Sequence, residues 1–289
     1  MSSQRYDILK RILALDPQKD CQEIVYLVGS YEYPWMMRKA LEFALFRTYA
    51  VPSIAALLAQ TGQFARHGQR RYDDTSLLIA EFVEHGYDSE RGRAAIRQMN
   101  RLHHRYSISN DDYLYVLSTF IFVPVYWHQQ FGWRQPTQHE NLANFYFWLE
   151  VGRRMGLRDI PPTYEAFEAF HHQYERERFA FTAETRAIAD YTIDIFCSWY
   201  PRILTPLIRE IIYCFMDERL REAFGYPRPH SVLKALAHAS LKMAARVIRL
   251  LPPRREPFAL TKQPNRTYPH GYTIEQMGLH EEASEQLPG

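Results

Sequence analysis

Three side chains that can bind or polarise a small ligand stand in the stretch from Arg70 to Tyr106. Arg71 and Thr75 are four residues apart, and His103 follows on what reads as a neighbouring helix. An imidazole binds metals and transfers protons, while guanidinium and hydroxyl groups donate hydrogen bonds to negative charge. If the helices bring them together, these residue types indicate a site for a metal-containing cofactor.

The spacing predicts that His103 faces inward on its helix. A turn at Gly86 precedes that helix, in which Ile96, Met99, His103 and Tyr106 recur at steps of three, four and three. An amphipathic helix buries such a stripe. We therefore expect Met99 and Tyr106 to lie beside His103 and to contact whatever it binds.

The helix before this turn also carries polar residues on its inward face. Arg71, Thr75, Leu78 and Phe82 fall on one side by helical spacing. An inward Arg and Thr need polar partners, and ample aromatic and aliphatic residues surround them in the sequence. A haem cleft between helices is one arrangement that satisfies both observations.

Each of the three residues also has an interpretation that needs no ligand. A lone His on an apolar face is commonly a hydrogen-bonded core residue, and Thr75 can donate to the carbonyl one turn earlier. A buried Arg commonly pairs with a carboxylate, and three are close in sequence: Asp73, Asp74 and Glu81. From the residues alone, a cofactor site and a polar helix core both remain open.

Two further histidines could be compared with His103 as ligands. His171 also lies on an apolar stripe, so it is a rival ligand; together with His103 and a carboxylate it would make a non-haem iron site. His128 follows Trp127 near a predicted helix end, where we expect it to face solvent.

Composition narrows the class of protein. The formal charge of +2 over 289 residues does not favour nucleic-acid binding, and aromatic residues make up 15% of the chain, enough to line an apolar pocket. Cys21, Cys197 and Cys214 lie far apart, which predicts reduced cysteines packed in a core rather than a zinc site. No apolar run is long enough to span a membrane and no secretory signal is recognisable, so we expect a cytoplasmic protein, at most peripheral to a membrane.

The whole chain has helical periodicity, without convincing alternating strands. This pattern predicts an all-α fold, with one multi-helix domain over residues 1–251. The helix that begins near Asn110 is apolar all round and is expected in the middle of the fold, and residues 204–224 read as one helix. Residues 252–289, rich in Pro and polar residues, form either an ordered strap or a loose tail of the same domain.

An ordered series of motifs resembles a known family. The stretches are RYDDTSLL from Arg71, AIRQMNRLH ending at His103, ISNDDYLYVLS from Ile108, Pro124, Trp133-Arg134, GRRMGL from Gly152 and YPHGY from Tyr268. Together they resemble the MpaB-type oxygenases of fungal mycophenolic acid biosynthesis, which form a superfamily with the bacterial rubber oxygenases, or latex clearing proteins. The resemblance covers roughly residues 30–280.

This resemblance implies a globin-like helical core around one haem b. It implies that His103 is the proximal iron ligand and that Arg71 and Thr75 lie near the distal side. Rubber oxygenases carry a Lys just before that Thr, which can cap the iron; this sequence has Asp74. A Lys-capped resting state is therefore not expected here.

The family chemistry is the oxidative cleavage of an isoprenoid C=C bond by O₂. The resemblance thus implies a haem-dependent oxygenase acting on an apolar, unsaturated small molecule. The haem propionates would need cations, for which Arg97, Arg101 and Arg105 are candidates, although the same three can form a solvated helix face. Two alternatives stay open: a haem protein without oxygenase turnover, gas-binding or peroxidase-like, and a non-enzymatic helical carrier of apolar ligands.

Overall fold

Helices make up the regular structure of residues 3–278, which are the residues that the computed structural model describes. The α-helices of this part are α1 (Asp7–Ala14), α2 (Cys21–Leu27), α3 (Pro34–Thr48), α4 (Pro52–Thr61), α5 (Gln63–His85), α6 (Glu90–His103), α7 (Asn110–Phe131), α8 (Gln138–Arg154), α9 (Tyr164–Arg178), α10 (Ala183–Ser198), α11 (Thr205–Cys214), α12 (Glu218–Ala223) and α13 (Ser231–Leu250). No strand occurs within these bounds. The all-α prediction is confirmed.

The two central helices, α5 and α6, pack against each other across a glycine turn. Gly86 ends α5 with a φ of 84°, and a side chain there would meet Gln22. The Ser89 hydroxyl then caps α6 by accepting a hydrogen bond from the Gly92 amide at 2.9 Å. The turn thereby fixes the faces that α5 and α6 present to each other.

Helix α7 is the centre of the bundle, as its apolar sequence predicts. It packs against α3, α8, α9 and α13. Most of its residues are buried, including Pro124 in its interior. A Pro there leaves one carbonyl of the helix without its usual amide donor. The helix nevertheless runs unbroken to Phe131 because neighbouring helices surround it.

The segment predicted as one helix over 204–224 is two helices. Helix α11 ends at Cys214, and Asp217 caps α12 by accepting a hydrogen bond from the Leu220 amide at 3.0 Å. The other carboxylate oxygen of Asp217 pairs with Arg47 of α3. The break follows from this ion pair to a distant helix, which periodicity does not reveal.

The chain after α13 lies as a strap across α5 and α6. Four carboxylates of α5 hold it at 2.5–2.6 Å, from the hydroxyls of Thr261 to Glu84, Thr267 to Asp73, Tyr268 to Asp74 and Tyr272 to Glu81. The Gln98 amide of α6 adds a bond to the Met277 carbonyl at 2.6 Å. We call residues 252–278 the strap; residues 279–289 of the predicted strap or tail lie outside the described residues.

Length and hydropathy identify no single helix among residues 3–278 that could cross a membrane. Helices α3 and α4 meet that criterion only when taken as a pair, and they are bent by 95° at the break between them.

Candidate functional site

A cavity of about 450 Å³ lies between helices α3 to α8, α10 and the strap. Arg71, Thr75 and His103 all line it, so the fold brings together the three residues that the spacing selected. We call them the cavity cluster. The volume lies within the range of about 300–1,000 Å³ that is usual for cofactor and ligand sites.

Helix α5 reaches the cavity with one face and the strap with the other. Arg71, Thr75, Leu78 and Phe82 line the cavity, as their spacing predicts. At 100° per residue Asp73 and Glu84 lie on the far side of α5 and Asp74 and Glu81 lie to one side of the Arg71 face, and all four carboxylates bind the strap. Of these four, only Glu84 also lines the cavity.

Arg71 makes no ion pair with any residue between 3 and 278. Asp73 and Asp74 bind the strap, and Glu81 binds Arg91 of α6 and Tyr272. The interpretation of Arg71 as a core residue paired with one of these acids is thus wrong. Arg71 thus lines the cavity without a direct ion-pair partner among the described residues.

The Thr75 hydroxyl donates to the Arg71 carbonyl at 2.9 Å, as the interpretation without a ligand predicts. Thr75 also lines the cavity. Since this donor is already engaged, its oxygen can still accept a hydrogen bond, whereas donation to a ligand requires the backbone bond to break.

His103 is the last residue of α6, and its ring is in edge contact with Tyr113 of α7 at 5.6 Å. Its Nδ1 atom is buried and has no hydrogen-bond partner among the described residues. Burial first, and then the nearby charge of Arg71, lowers the pKa of His103 to about 4. The ring is therefore neutral at pH 7, the form in which imidazole binds metals.

Aromatic residues that the sequence reasoning missed form part of the cavity wall. Trp148 of α8 stacks on Phe120 at 4.6 Å and contacts Phe82 edge-on at 5.8 Å. All three line the cavity, as does Tyr113. The period of α7 contains this signal, since Tyr113, Val116, Leu117 and Phe120 share a face. The strap residues in the wall carry no such signal, because their backbone is irregular.

The five other residues proposed to contact a cofactor or its propionates fall into two groups. Met99, Arg105 and Tyr106 line the cavity. Tyr106 does so from beyond the end of α6 and is 43% exposed, so it is neither helical nor buried as the stripe predicted.

Arg97 and Arg101 do not reach the cavity. Both are exposed, and Arg101 binds Gln98 and the Glu275 carbonyl of the strap. Their positions on α6 lie away from the face of Met99 and His103, so the expectation that they approach the cofactor is wrong.

The rival His171 belongs to a second polar region, which we call the buried network: Arg47, Tyr115, Ser118, His171, Glu175 and Asp217. His171 Nδ1 lies 2.9 Å from the Ser118 hydroxyl, and Nε2 lies 3.4 Å from Glu175. Arg47 binds the Glu175 carboxylate with two nitrogens, at 2.6 and 2.9 Å. Both ring nitrogens of His171 thus have protein partners, which identifies it as a structural residue.

His128 is buried, so the expectation that it faces solvent is wrong. Its Nδ1 atom donates to the Pro124 carbonyl at 2.6 Å, the carbonyl one turn earlier in α7. Its ring packs edge-on against Tyr33 at 4.5 Å. The adjoining cavity measures about 30 Å³, far smaller than a cofactor site.

The described residues contain no cluster of three or more His, Cys, Asp or Glu side chains that could hold a metal ion by themselves. His171 lines neither cavity described above and is engaged in the buried network. The non-haem iron site built on His103, His171 and a carboxylate is therefore not formed.

Comparison with known proteins adds the family. Residues 33–250 match the family model described as the ER-bound oxygenase mpaB/B'/rubber oxygenase catalytic domain. The chain belongs to this family. The description of the family is that of an oxygenase catalytic domain, and membership confirms the resemblance that the motifs indicated.

Two curated fungal relatives agree with the family model. An ER-bound oxygenase mpaB' of Penicillium brevicompactum is 32% identical over 246 residues, which cover 79% of this chain and 58% of the relative. An ER-bound oxygenase mpaB of Penicillium roqueforti (strain FM164) is 33% identical over 213 residues, or 68% of this chain and 72% of the relative. The chain thus spans less than two thirds of the first relative's length.

Proposed function

We propose that this mpaB/rubber oxygenase family member is a haem b-dependent oxygenase that uses O₂ on an apolar, unsaturated substrate of isoprenoid or lipid type. One observation carries the proposal. A neutral imidazole with a buried nitrogen free of protein partners, His103, shares an apolar cavity with the unpaired cation Arg71. Buried polar atoms without partners such as His103 Nδ1 are uncommon in proteins, and a ligand in the cavity would satisfy this atom and face the Arg71 cation.

The residues present fit a haem. His103 would ligate the iron, and Met99 and Tyr106 would lie against the macrocycle from the same wall. Arg105 lines the cavity and is exposed on its other side, so it suits a propionate at the mouth. A bound haem would supply the redox chemistry that O₂ activation requires, which no side chain in the cavity supplies.

Arg71 would stabilise negative charge that develops in the cavity. Its guanidinium already acts on two cavity groups, lowering the pKa of His103 after burial and opposing the rise to about 12 that burial causes at Tyr49. A fixed cation stabilises nearby negative charge far more strongly in an apolar, water-poor site than it does in water. Thr75 adds an oxygen beside it that can accept a hydrogen bond.

Position 74 supports an uncapped iron. Asp74 is buried against the strap, where it accepts from the Tyr268 hydroxyl at 2.5 Å and the Gly278 amide at 2.9 Å. It is absent from the cavity lining. The distal side would then be left to Arg71, Thr75 and the substrates.

The apolar wall supports the substrate class. Aromatic and aliphatic side chains dominate the lining, among them Leu45, Leu58, Phe64, Leu117, Phe120, Trp148, Ile195 and Phe196. Such a wall holds a hydrocarbon chain and excludes water. Cleavage of a C=C bond by O₂ to two carbonyl groups balances without an external reductant, so the cavity needs no entry for one.

The relatives' names support a location at a membrane. Both are described as ER-bound. We extend to this chain a peripheral contact with a membrane, where an apolar substrate would be concentrated.

The visible spectrum tests the haem proposal. We would express the wild type, His103→Ala and His104→Ala with haem supplied, and expect a Soret band at about 400–430 nm in the wild type. The band should disappear or shift in His103→Ala. His104 is the matched control, since it is adjacent but exposed; its variant should keep the wild-type band.

Other outcomes select the alternatives. A colourless wild type that stays colourless with haemin would overturn the haem proposal and favour an apolar-ligand carrier. A haem protein that consumes no O₂ with polyprenyl or unsaturated lipids would be a gas-binding or peroxidase-like protein.

A further inference from the structure

Helix α13 carries an apolar stripe that faces solvent. Five of its side chains are between 51% and 82% exposed: Val232, Leu236, Met243, Val247 and Leu250. Their steps of four, seven, four and three keep them on one side of the helix. The surface of a water-soluble protein rarely exposes so many large apolar residues in one line. We therefore expect a binding partner to cover the stripe.

The stripe lies opposite the side that α13 packs into the protein. Ala237 and Ala245 are buried, and Leu241 and Ile248 pack against the apolar cluster that contains Phe131. At 100° per residue these inward positions lie on average about 150° from the stripe. Helix α13 is therefore apolar on two faces, and the fold uses one of them.

Positive charge lies along one side of the stripe, from Lys242 to Arg249. Four cations of α13 are exposed, namely Lys234, Lys242, Arg246 and Arg249, and Arg254 and Arg255 follow at the start of the strap. The sequence has no acidic residue from 223 to 255. None of the six cations forms an ion pair within the part of the chain that the structure describes, whereas elsewhere Arg186, Arg209 and Arg228 each have a carboxylate partner.

A neighbouring segment extends the apolar surface. Ile203 is 87% exposed on the turn before α11, and Leu207 is 47% exposed on α11 itself. Helix α11 packs against α13. Exposed apolar side chains thus continue from α13 onto the helix beside it.

We propose that α13 docks the protein onto an anionic lipid surface, lying in the plane of the membrane with its outer stripe among the acyl chains. Apolar side chains on one face with unpaired cations beside them are the features that bind such a surface. A second copy of this chain is a poorer occupant, because it would bring the same cations together. The proposal is independent of the haem.

Docking brings lipid near the cavity. Phe258 of the strap lines the cavity wall and follows Leu251, which is 53% exposed, by seven residues. Seven residues span at most about 25 Å. An apolar substrate then has a short path from the membrane to the cavity; this one consequence rests on the proposed function.

Flotation with vesicles tests the docking. We would mix the full chain with phosphatidylcholine vesicles and with vesicles that also contain phosphatidylglycerol. We expect binding to the anionic vesicles that weakens as salt is added. Leu236→Asp with Met243→Asp, and separately Lys242→Glu with Arg246→Glu, should each reduce binding at least about tenfold. All four residues are exposed, so circular dichroism should be unchanged.

The matched control is Leu13→Asp on α1, a change of the same kind at a residue that is 49% exposed but far from α13 in sequence. It should bind like the wild type. A wild type that does not float with anionic vesicles overturns the proposal, as does equal binding by the Leu236→Asp/Met243→Asp variant. Sedimentation showing a dimer that this variant dissociates would instead assign the stripe to a second copy of the chain.

Discussion

His103 and His171 are two buried histidines on apolar helix faces, and the pKa of each is lowered to about 4. Their partners differ completely. His171 has a hydroxyl at one nitrogen and a carboxylate at the other, while His103 has a buried nitrogen without a partner and a cavity beside it. A depressed pKa therefore does not separate a ligand from a structural histidine; the unsatisfied atom and the adjoining volume do.

The two arginines repeat the contrast. Arg47 is buried between Glu175 and Asp217, and its charge together with its hydrogen bonds lowers the pKa of Glu175 against the opposing effect of burial. Arg71 has no such partner in the described chain. The buried network has its charges paired within the protein, whereas the cavity cluster has a cation without a direct ion-pair partner among the described residues.

The largest effect should come from breaking the buried network. Arg47→Met leaves the Glu175 carboxylate buried without its cation, which should reduce the free energy of unfolding by about 3–5 kcal/mol. The same change at Arg71 should reduce it by less than about 1 kcal/mol, because no internal ion pair is lost. Urea denaturation of both variants measures this. Equal losses would mean that the two regions do not differ as described.

Acid should destabilise the protein through two buried histidines, His128 and His171. Burial lowers the pKa of both His128 and His171 to about 4 in the folded protein, against the ordinary histidine value of 6.5. Their contribution to the free energy of unfolding is complete above pH 6.5 and is lost as the pH falls towards 4. The reason is that the unfolded chain binds protons in this range and the folded protein does not. At pH 4 each of the two histidines should lower the free energy of unfolding by up to about 3 kcal/mol. Unfolding curves from pH 7 to pH 4 test this, and a flat profile would contradict it.

Arg71→Met should affect turnover rather than folding. Loss of a fixed donor to developing charge should lower kcat about tenfold to hundredfold, with the Soret band retained. Arg71→Lys should retain part of the wild-type kcat, since lysine keeps the positive charge but lacks the planar guanidinium group. O₂ uptake with an unsaturated lipid is the measurement. Unchanged kcat in Arg71→Met would remove Arg71 from the chemistry.

Thr75→Val should have the smallest effect. Thr75 and Thr192 both line the cavity and both donate to the carbonyl one turn earlier at 2.9 Å, so Thr192→Val is a matched control. If Thr75 acts only on its helix, the two variants should show the same kcat and lose less than about 1 kcal/mol of stability. A decrease in kcat confined to Thr75→Val would give its oxygen a role at the ligand.

Periodicity predicted the parts of the site that lie on long helices. It placed Arg71, Thr75, Met99 and His103 on the faces that now line one cavity, because helical spacing alone determines which side chains share a face. It could not separate His103 from His171, since that difference depends on partners from other helices. Arg47 and Glu175, for example, are 128 residues apart.

The errors have the same physical origin. The break between α11 and α12 depends on the bond between Asp217 and Arg47, and Tyr106 continues a helical stripe in sequence although α6 ends at His103. The sequence leaves the strap open between two arrangements because its anchors are side-chain hydrogen bonds to α5 and α6. Such contacts join regions that are distant in sequence and produce no periodic pattern of residue types.

The anchoring of the strap has a consequence for biosynthesis. Asp74 is bonded to residues 194 and 204 positions further along the chain. On the ribosome, the helices that carry the cavity cluster therefore emerge and can pack well before their last wall has been translated. The strap wall of the cavity is thus completed last, so the haem of the proposed function could enter before this final segment docks.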